Sequence, residues 1–306
     1  MRIVLDLTDL VGRGELTKEE ADRLSRLAAR GTGNAGANIL LAFGMVAVAL
    51  GIGALVPTAT TAVIIGGLFL ALGLGLTLGK AETWFLLAQI LLTIGALVLA
   101  GGVMVLTDAD KLALFALSAG FAVVSIVSLS GLLAAISVLV LAAALGSSTG
   151  YMHAMYMLGV SEPSITIGAF AVVALVLLFA SFQLEPRYER LAIIGARTAV
   201  LIINVAFLVG SLFGDERLGL PDIAFVVVWA LLLLGVGAWG VVANRPWVVN
   251  TAAVFGAIHF YTQWFERLGA NALTILGGGI LLVLFGLALV AFNRRRTGAS
   301  PTGQGV

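Results

Sequence analysis

Residues 112–145, LALFALSAGFAVVSIVSLSGLLAAISVLVLAAAL, carry no charge and are too long to form one membrane helix. At 1.5 Å per residue they would extend roughly 50 Å, whereas the hydrocarbon core of a bilayer is about 30 Å thick. A break is therefore required, and Ser128-Leu129-Ser130-Gly131 supplies the polar and glycine residues for it. Pro57-Thr58 divides an earlier apolar run in the same way. The same reading along the chain gives ten spans: 39–56, 59–78, 84–106, 112–128, 132–151, 165–182, 191–213, 223–242, 247–265 and 272–292. In lipid each backbone polar group must be satisfied within its own segment, so these spans are helices. The fold class is all-α, a polytopic transmembrane bundle.

Composition points the same way. With 60% hydrophobic and 11% charged residues, and a mean hydropathy of +1.11, the chain is too apolar for a soluble domain of 306 residues. It has no cysteine, which excludes disulfides, thiol nucleophiles and Cys-ligated metals as chain chemistry. No cofactor is implied, and nucleic acid is not an expected partner of a chain with net charge +1. The first apolar run starts near residue 38, too late for a cleavable signal peptide, so the N-terminus is expected to stay on the mature protein.

The basic residues are segregated. Arg2, Arg13, Lys18, Arg23, Arg26 and Arg30 precede the first span, Arg294, Arg295 and Arg296 follow the last, and Lys80, Arg187, Arg190 and Arg245 lie in loops on the same side. The opposite loops hold Lys111, Arg217 and Arg267 among Asp108, Asp110, Glu162, Asp215, Glu216, Asp222 and Glu266. Cytoplasmic loops carry the excess of Lys and Arg, which makes both termini cytoplasmic.

Three domains are expected: a cytosolic helical hairpin over 1–37, the bundle over 38–293, and a disordered basic tail over 294–306. Thr17-Lys18-Glu19-Glu20 reads as a capping box that starts a helix running to about Arg30, with Gly31 as its stop. Leu5, Leu7, Leu10 and Val11, ahead of Gly14, suggest a shorter helix folded back on it. The hairpin, residues 1–31, is either a docking or self-association element or a small cap on the membrane surface.

The opening Leu10-Val11-Gly12-Arg13-Gly14-Glu15-Leu16-Thr17-Lys18-Glu19-Glu20-Ala21, followed by a glycine-rich span, resembles that of a family of bacterial predicted multi-pass membrane proteins of unknown function. The far end is similar to it too: Phe260-Tyr261-Thr262-Gln263-Trp264-Phe265-Glu266-Arg267-Leu268-Gly269, a Gly-Gly-Gly span, then three arginines. The chain departs from the family pattern after the first span, with Pro57-Thr58 in place of an Asn-Trp pair. The resemblance implies an architecture and a bacterial cytoplasmic membrane. It transfers no catalytic residue.

Ionisable groups within spans are costly and mark functional sites by default. Arg197 lies about two turns into the seventh span, and Asn204 and Ser211 follow at seven-residue spacings, giving one polar stripe. Either this stripe lines a cavity and contacts an anion or substrate, or Arg197 snorkels to the headgroups while the others bond neighbouring helices. His259, with Gln263 one turn on and Tyr261 nearby, is a second candidate for substrate binding or proton relay, or a member of an interfacial aromatic belt. Weaker stripes, Gln89 with Thr93 and Ser118 with Ser125, suit helix packing. His153, Met155 and Met157 have ligand types that suit Cu(I) and would share one face of an extended backbone; the alternative is interfacial filler. Gly75 and Gly79, Gly66-Gly67, Gly101-Gly102 and Gly277-Gly278-Gly279 point to close helix approach.

No Ser-His-Asp set, paired carboxylate or zinc spacing falls within the spans, so an enzyme reading is poorly supported. Five spans per half would place the halves in opposite orientations, as in the inverted repeats of carriers. A carrier or channel of a small molecule or ion, with a site at Arg197 and Asn204, is the leading reading. The alternative is a scaffold or sensor that binds a partner through its N-terminal hairpin.

Overall fold

A computed structural model describes residues 11–12, 14, 16–79, 82–152, 155–243 and 245–297. Ten α-helices of 14 residues or more run through the described residues. They are α1 (Lys18–Leu55), α2 (Ala59–Leu78), α3 (Phe85–Leu106), α4 (Lys111–Ser128), α5 (Gly131–Ala144), α6 (Pro163–Ser181), α7 (Pro186–Phe213), α8 (Asp222–Val242), α9 (Pro246–Leu268) and α10 (Ala272–Thr297). Between α5 and α6 stand β1 (Ser147–Met152) and β2 (Met155–Val160). Among the described residues seven helices are long and apolar enough to cross a membrane: Gly36–Leu55 within α1, then α2, α3, α4, α6, α7 and α8. Gly131–Ala144 and Ala272–Leu287 are shorter apolar helices. The chain is a multi-pass membrane protein, and the regular structure of its described residues is helical except for one hairpin.

The break that opened the sequence reading is present, and its chemistry is local. Leu129 takes the left-handed conformation (φ 52°) that ends α4, and the Ser130 N–H donates back to the Ser125 carbonyl at 3.1 Å. The Ser125 hydroxyl donates to the Ser130 carbonyl at 3.0 Å, so carbonyl groups released by the turn keep partners inside an apolar environment. At the α1–α2 turn Thr58 caps α2, its hydroxyl accepting the Thr61 N–H at 3.1 Å.

Three expectations are corrected. The fifth span does not continue to Tyr151: α5 ends at Ala144, and Gly146 (φ 91°) turns the chain into the antiparallel pair β1–β2. Ser147-Ser148-Thr149-Gly150 are poor helix formers, and the Ser161 hydroxyl and N–H both donate to the Gly146 carbonyl, closing the neck of the hairpin. Nor does Gly31 stop the first helix. The capping box forms, with Glu20 N–H 3.2 Å from Thr17 Oγ1 and Thr17 N–H 3.0 Å from Glu20 Oε2, but α1 then runs 38 residues without interruption. Each glycine in a helix costs about 1 kcal/mol, which a helix already propagating from an apolar span can absorb. Finally, Arg294, Arg295 and Arg296 belong to α10 rather than to a disordered tail; residues 298–306 and the expected helix before Gly14, save for Val11 and Gly12, lie outside the described residues.

The chain divides into two compact units, residues 1–145 with 174–198 and residues 146–173 with 199–306. In the first, α2 and α3 meet backbone to backbone. A Cβ on Gly95 would stand 2.7 Å from Leu70 N, one on Gly73 2.9 Å from Ala88 O, and one on Gly102 2.9 Å from Val63 N. Gly66 meets the backbone of Leu99 in the same manner. Gly66 and Gly73, and Gly95 and Gly102, repeat every seven residues along their helices. The expected Gly75 has open space around it, and Gly79 meets only carbonyls of its own helix. Ser118 on α4 donates to the Ser137 carbonyl on α5 at 2.8 Å, the packing role expected of it.

In the second unit the core is aromatic: Phe207 on α7 with Phe225 and Trp229 on α8, against Ile167 on α6 and Phe255 on α9. Trp264 of α9 donates to the Thr274 carbonyl of α10 at 3.0 Å, beside Gly278. Between α7 and α8, Asp215 is buried and accepts from the N–H groups of Ser164 (3.1 Å) and Leu218 (3.2 Å). Ser164 is the main influence holding this carboxyl below the usual aspartate range; burial opposes it, and the Leu218 and Arg217 N–H groups add to it. Arg217 pairs with Glu162, so the loop is tied twice to the start of α6.

Candidate functional site

Three of the four proposed substrate contacts meet in the second unit. Asn204 is buried on α7, its Nδ2 donating to the Val200 carbonyl at 2.8 Å and its Oδ1 accepting from Trp229 Nε1 at 2.9 Å. Trp229 is only 1% exposed. Its ring lies nearly parallel to Phe207, centroids 6.2 Å apart, and edge-on to the His259 imidazole at 4.8 Å. Asn204 is thus the hydrogen-bonded support of a tryptophan that walls one side of His259. An indole N–H has no acceptor in hydrocarbon, so a polar side chain on a facing helix fixes where the ring sits.

On α9, His259 Nδ1 and Gln263 Nε2 are buried with no protein partner. They are one helical turn apart and so project on the same side of the helix. Gln263 Oε1 accepts weakly from Arg267 Nε at 3.4 Å, which leaves its amide nitrogen as the open donor. Unsatisfied polar atoms in an apolar setting each cost roughly 1–3 kcal/mol, so a pair of them is a place where a hydrogen-bonding molecule gains most by binding. Among the described contacts of Asn204, Trp229, His259 and Gln263, Arg267 is the charged side chain that reaches the cluster, and it does so at the exposed end of Gln263.

Arg197 has a different setting. It lies on an exposed part of α7 shared with Arg190 and Leu201, whereas Asn204 and Ser211 are buried. The seven-residue stripe is real as helix geometry, but packing around α7 changes along its length, and Ser211 gives its hydroxyl to the Leu208 carbonyl of its own helix (2.8 Å). Met155 and Met157 occupy alternate positions of β2, the extended backbone a metal reading needs, while His153 lies outside the described residues.

Sequence reasoning missed Trp229. Its signal was available: a tryptophan in the middle of a span, away from the interfacial belt, needs an acceptor at the same depth. Asn38 was missed as well. It is 3% exposed, its Nδ2 donates to the Thr83 carbonyl at 2.7 Å, and its Oδ1 has no partner.

The arrangement defines a membrane-embedded helical protein with a neutral, aromatic-walled polar pair in its second unit. No family model matches the chain, and no curated protein or solved structure matches it.

Proposed function

We propose that the protein is a ten-span carrier or channel for a small neutral solute, with both termini cytoplasmic. On this reading the solute hydrogen-bonds His259 and Gln263 while resting against Trp229. The observation that carries it is the pair of buried, unpartnered atoms His259 Nδ1 and Gln263 Nε2 beside a ring fixed by Asn204. The spans hold almost no carboxylate, which favours a neutral solute over proton coupling through Asp or Glu. Arg197, exposed on the same helix as Asn204, is a headgroup anchor in this scheme. Membership of the bacterial family that the two ends of the chain resemble, and residence in a bacterial cytoplasmic membrane, belong to the same proposal.

The test is a thermal-shift screen of neutral hydrogen-bonding solutes on purified protein, followed by uptake of any hit into proteoliposomes. Gln263→Leu should abolish the shift and the uptake, while Arg197→Ala should leave both near the parent's. Loss with Arg197→Ala and retention with Gln263→Leu would move the site to Arg197. Since the chain has no cysteine, single substitutions at Glu185 and Glu216 give a direct topology test. The first should react with an impermeant thiol reagent only from the cytoplasmic side, the second only from the other.

A second reading has its own support. Because α1 is continuous from Lys18 to Leu55, roughly 57 Å, a partner bound to its charged first turns would be rigidly joined to a span. This is the sensor or scaffold reading, and deleting residues 1–31 should then abolish co-purification of the partner while leaving the bundle folded.

A further inference from the structure

A partly open groove of about 390 Å³ lies within the first unit, and neither His259 nor Gln263 is among its lining residues. Ala122 and Ile126 of α4, Val138 of α5, Leu177 of α6, and Tyr188 and Leu191 of α7 form its walls. Its volume falls within the range of small-ligand sites, but its lining is almost wholly apolar. The one hydroxyl with a known partner there, Ser125 Oγ, is already bonded to the Ser130 carbonyl. The walls therefore suit a hydrocarbon chain and offer little to a polar solute.

One end of the groove is different. Leu184 and Tyr188 bring it to the turn between α6 and α7, and the Arg187 guanidinium lies over the Tyr188 ring, 4.7 Å from the centroid. Arg187 Nε is 2.9 Å from Glu185 Oε2, and both side chains are more than half exposed, at 58% and 66%. An exposed pair of this kind is weak and open to competition from a stronger anion. A guanidinium beside a phenol at the mouth of an apolar slot is complementary to a phosphodiester joined to an acyl chain.

We propose that this groove holds one acyl chain of a membrane phospholipid, whose phosphate displaces Glu185 and bonds Arg187. The occupant is lipid rather than a second copy of the chain, because the cation sits at the end of the slot where a headgroup would emerge. Neighbouring Glu189 and Arg190 leave no large net charge at the turn. The recognition therefore rests on Arg187 itself rather than on a diffuse positive field.

The experiment is native mass spectrometry of the full chain in detergent, titrated with phosphatidylglycerol and with diacylglycerol of identical chains. The parent should retain one phosphatidylglycerol at concentrations at least tenfold below those needed for diacylglycerol. Arg187→Gln should bring the two lipids level, Glu185→Gln should tighten phosphatidylglycerol, and Ala122→Phe should weaken both at least tenfold by filling the slot. Equal retention of the two lipids by the parent overturns the proposal, as does a dimer, rather than a lipid adduct, that Ala122→Phe removes. Should Ala122→Phe not fold, Arg187→Gln decides alone: retention of phosphatidylglycerol at the parent's level rejects the site.

Discussion

The α2–α3 pair in the first unit and the α7–α8–α9 cluster in the second associate by opposite means. In the first, glycines remove side chains until one backbone rests on another, as at Gly95 against Leu70 and Gly102 against Val63. In the second, bulk and directed bonds do the work: Phe207, Phe225 and Trp229 fill the space, and Asn204 aims the indole. Helices in lipid gain nothing from leaving water, so either close van der Waals contact or an interhelical hydrogen bond has to supply the association. The difference has a functional side. Backbone contact leaves no polar atom for a ligand to meet, whereas the aromatic cluster with polar tips leaves His259 Nδ1 and Gln263 Nε2 buried without a protein partner.

The largest expected effect falls on the aromatic side. Trp229→Ala removes a fully buried ring and should destabilise the protein by about 3–5 kcal/mol. Trp229→Phe keeps most of the bulk and deprives Asn204 Oδ1 of its donor, a loss of about 0.6–1.7 kcal/mol by the measure of interhelical bonds in membranes. Thermal unfolding in detergent separates the two. If both variants fall equally, the hydrogen bond and not the ring holds α7 to α8.

The glycine side comes next. Gly95→Ala would place its methyl group against Leu70 N and Gly66 O, which are backbone atoms that cannot step aside, so α2 and α3 must separate. Overpacking of this kind costs about 1–3 kcal/mol. A drop in unfolding temperature with no change in ligand response at Gln263 is the expected pattern. A parent-like unfolding temperature would show that the pair can slide apart freely.

Hydropathy and turn chemistry made most of the fold legible. Each of the ten expected spans overlaps a helix, seven of these helices are long and apolar enough to cross a membrane, and the break at Ser128-Leu129-Ser130-Gly131 stands where charge-free length demanded it. The fifth span went wrong because its apolar run was carried on to Tyr151 past Gly146 and the poor helix formers Ser147-Ser148-Thr149-Gly150, where the chain turns into a strand. Gly31 misled for the opposite reason: a local stop signal is weaker than continuity with an apolar span. As for the site, His259 and Gln263 could be read from spacing, but which acceptor holds which donor depends on helix neighbours, and nothing in the order of residues pairs Asn204 with Trp229. Arg197 drew attention by its charge and by its seven-residue spacing to Asn204 and Ser211, and its exposure follows from packing that the sequence does not display.

A smaller effect tests whether the directed bonding of the second unit extends to its loop. Asp215 is held below its usual range by Ser164 and nearby N–H groups, so its contribution to stability is present above the ordinary aspartate value, near pH 4. It is lost as pH falls through the lowered value. Asp215→Asn keeps a carbonyl acceptor but removes the charge, and should cost about 1 kcal/mol near neutrality. The gap between variant and parent should narrow as pH falls below 4, because protonation takes from the parent what the substitution has already removed. A gap that stays constant with pH would mean that shape, not charge, matters at Asp215.

The smallest expected effect is the most discriminating for the first unit. Gly101 and Gly102 are indistinguishable in composition and adjacent in the chain, but one residue turns the helix by about 100°. A Cβ at Gly102 meets Val63 N at 2.9 Å and the Ala62 methyl at 3.0 Å, while one at Gly101 meets nothing within 4 Å. Gly102→Ala should therefore behave like Gly95→Ala. Gly101→Ala should be neutral or stabilising by up to about 1 kcal/mol, since alanine is the better helix former and the position is open. Equal losses at both positions would mean that α3 can rotate about its axis, and the backbone contact with α2 would then not be a fixed one. Opposite signs at two neighbouring glycines would tie the association to that single face of the helix and not to glycine content.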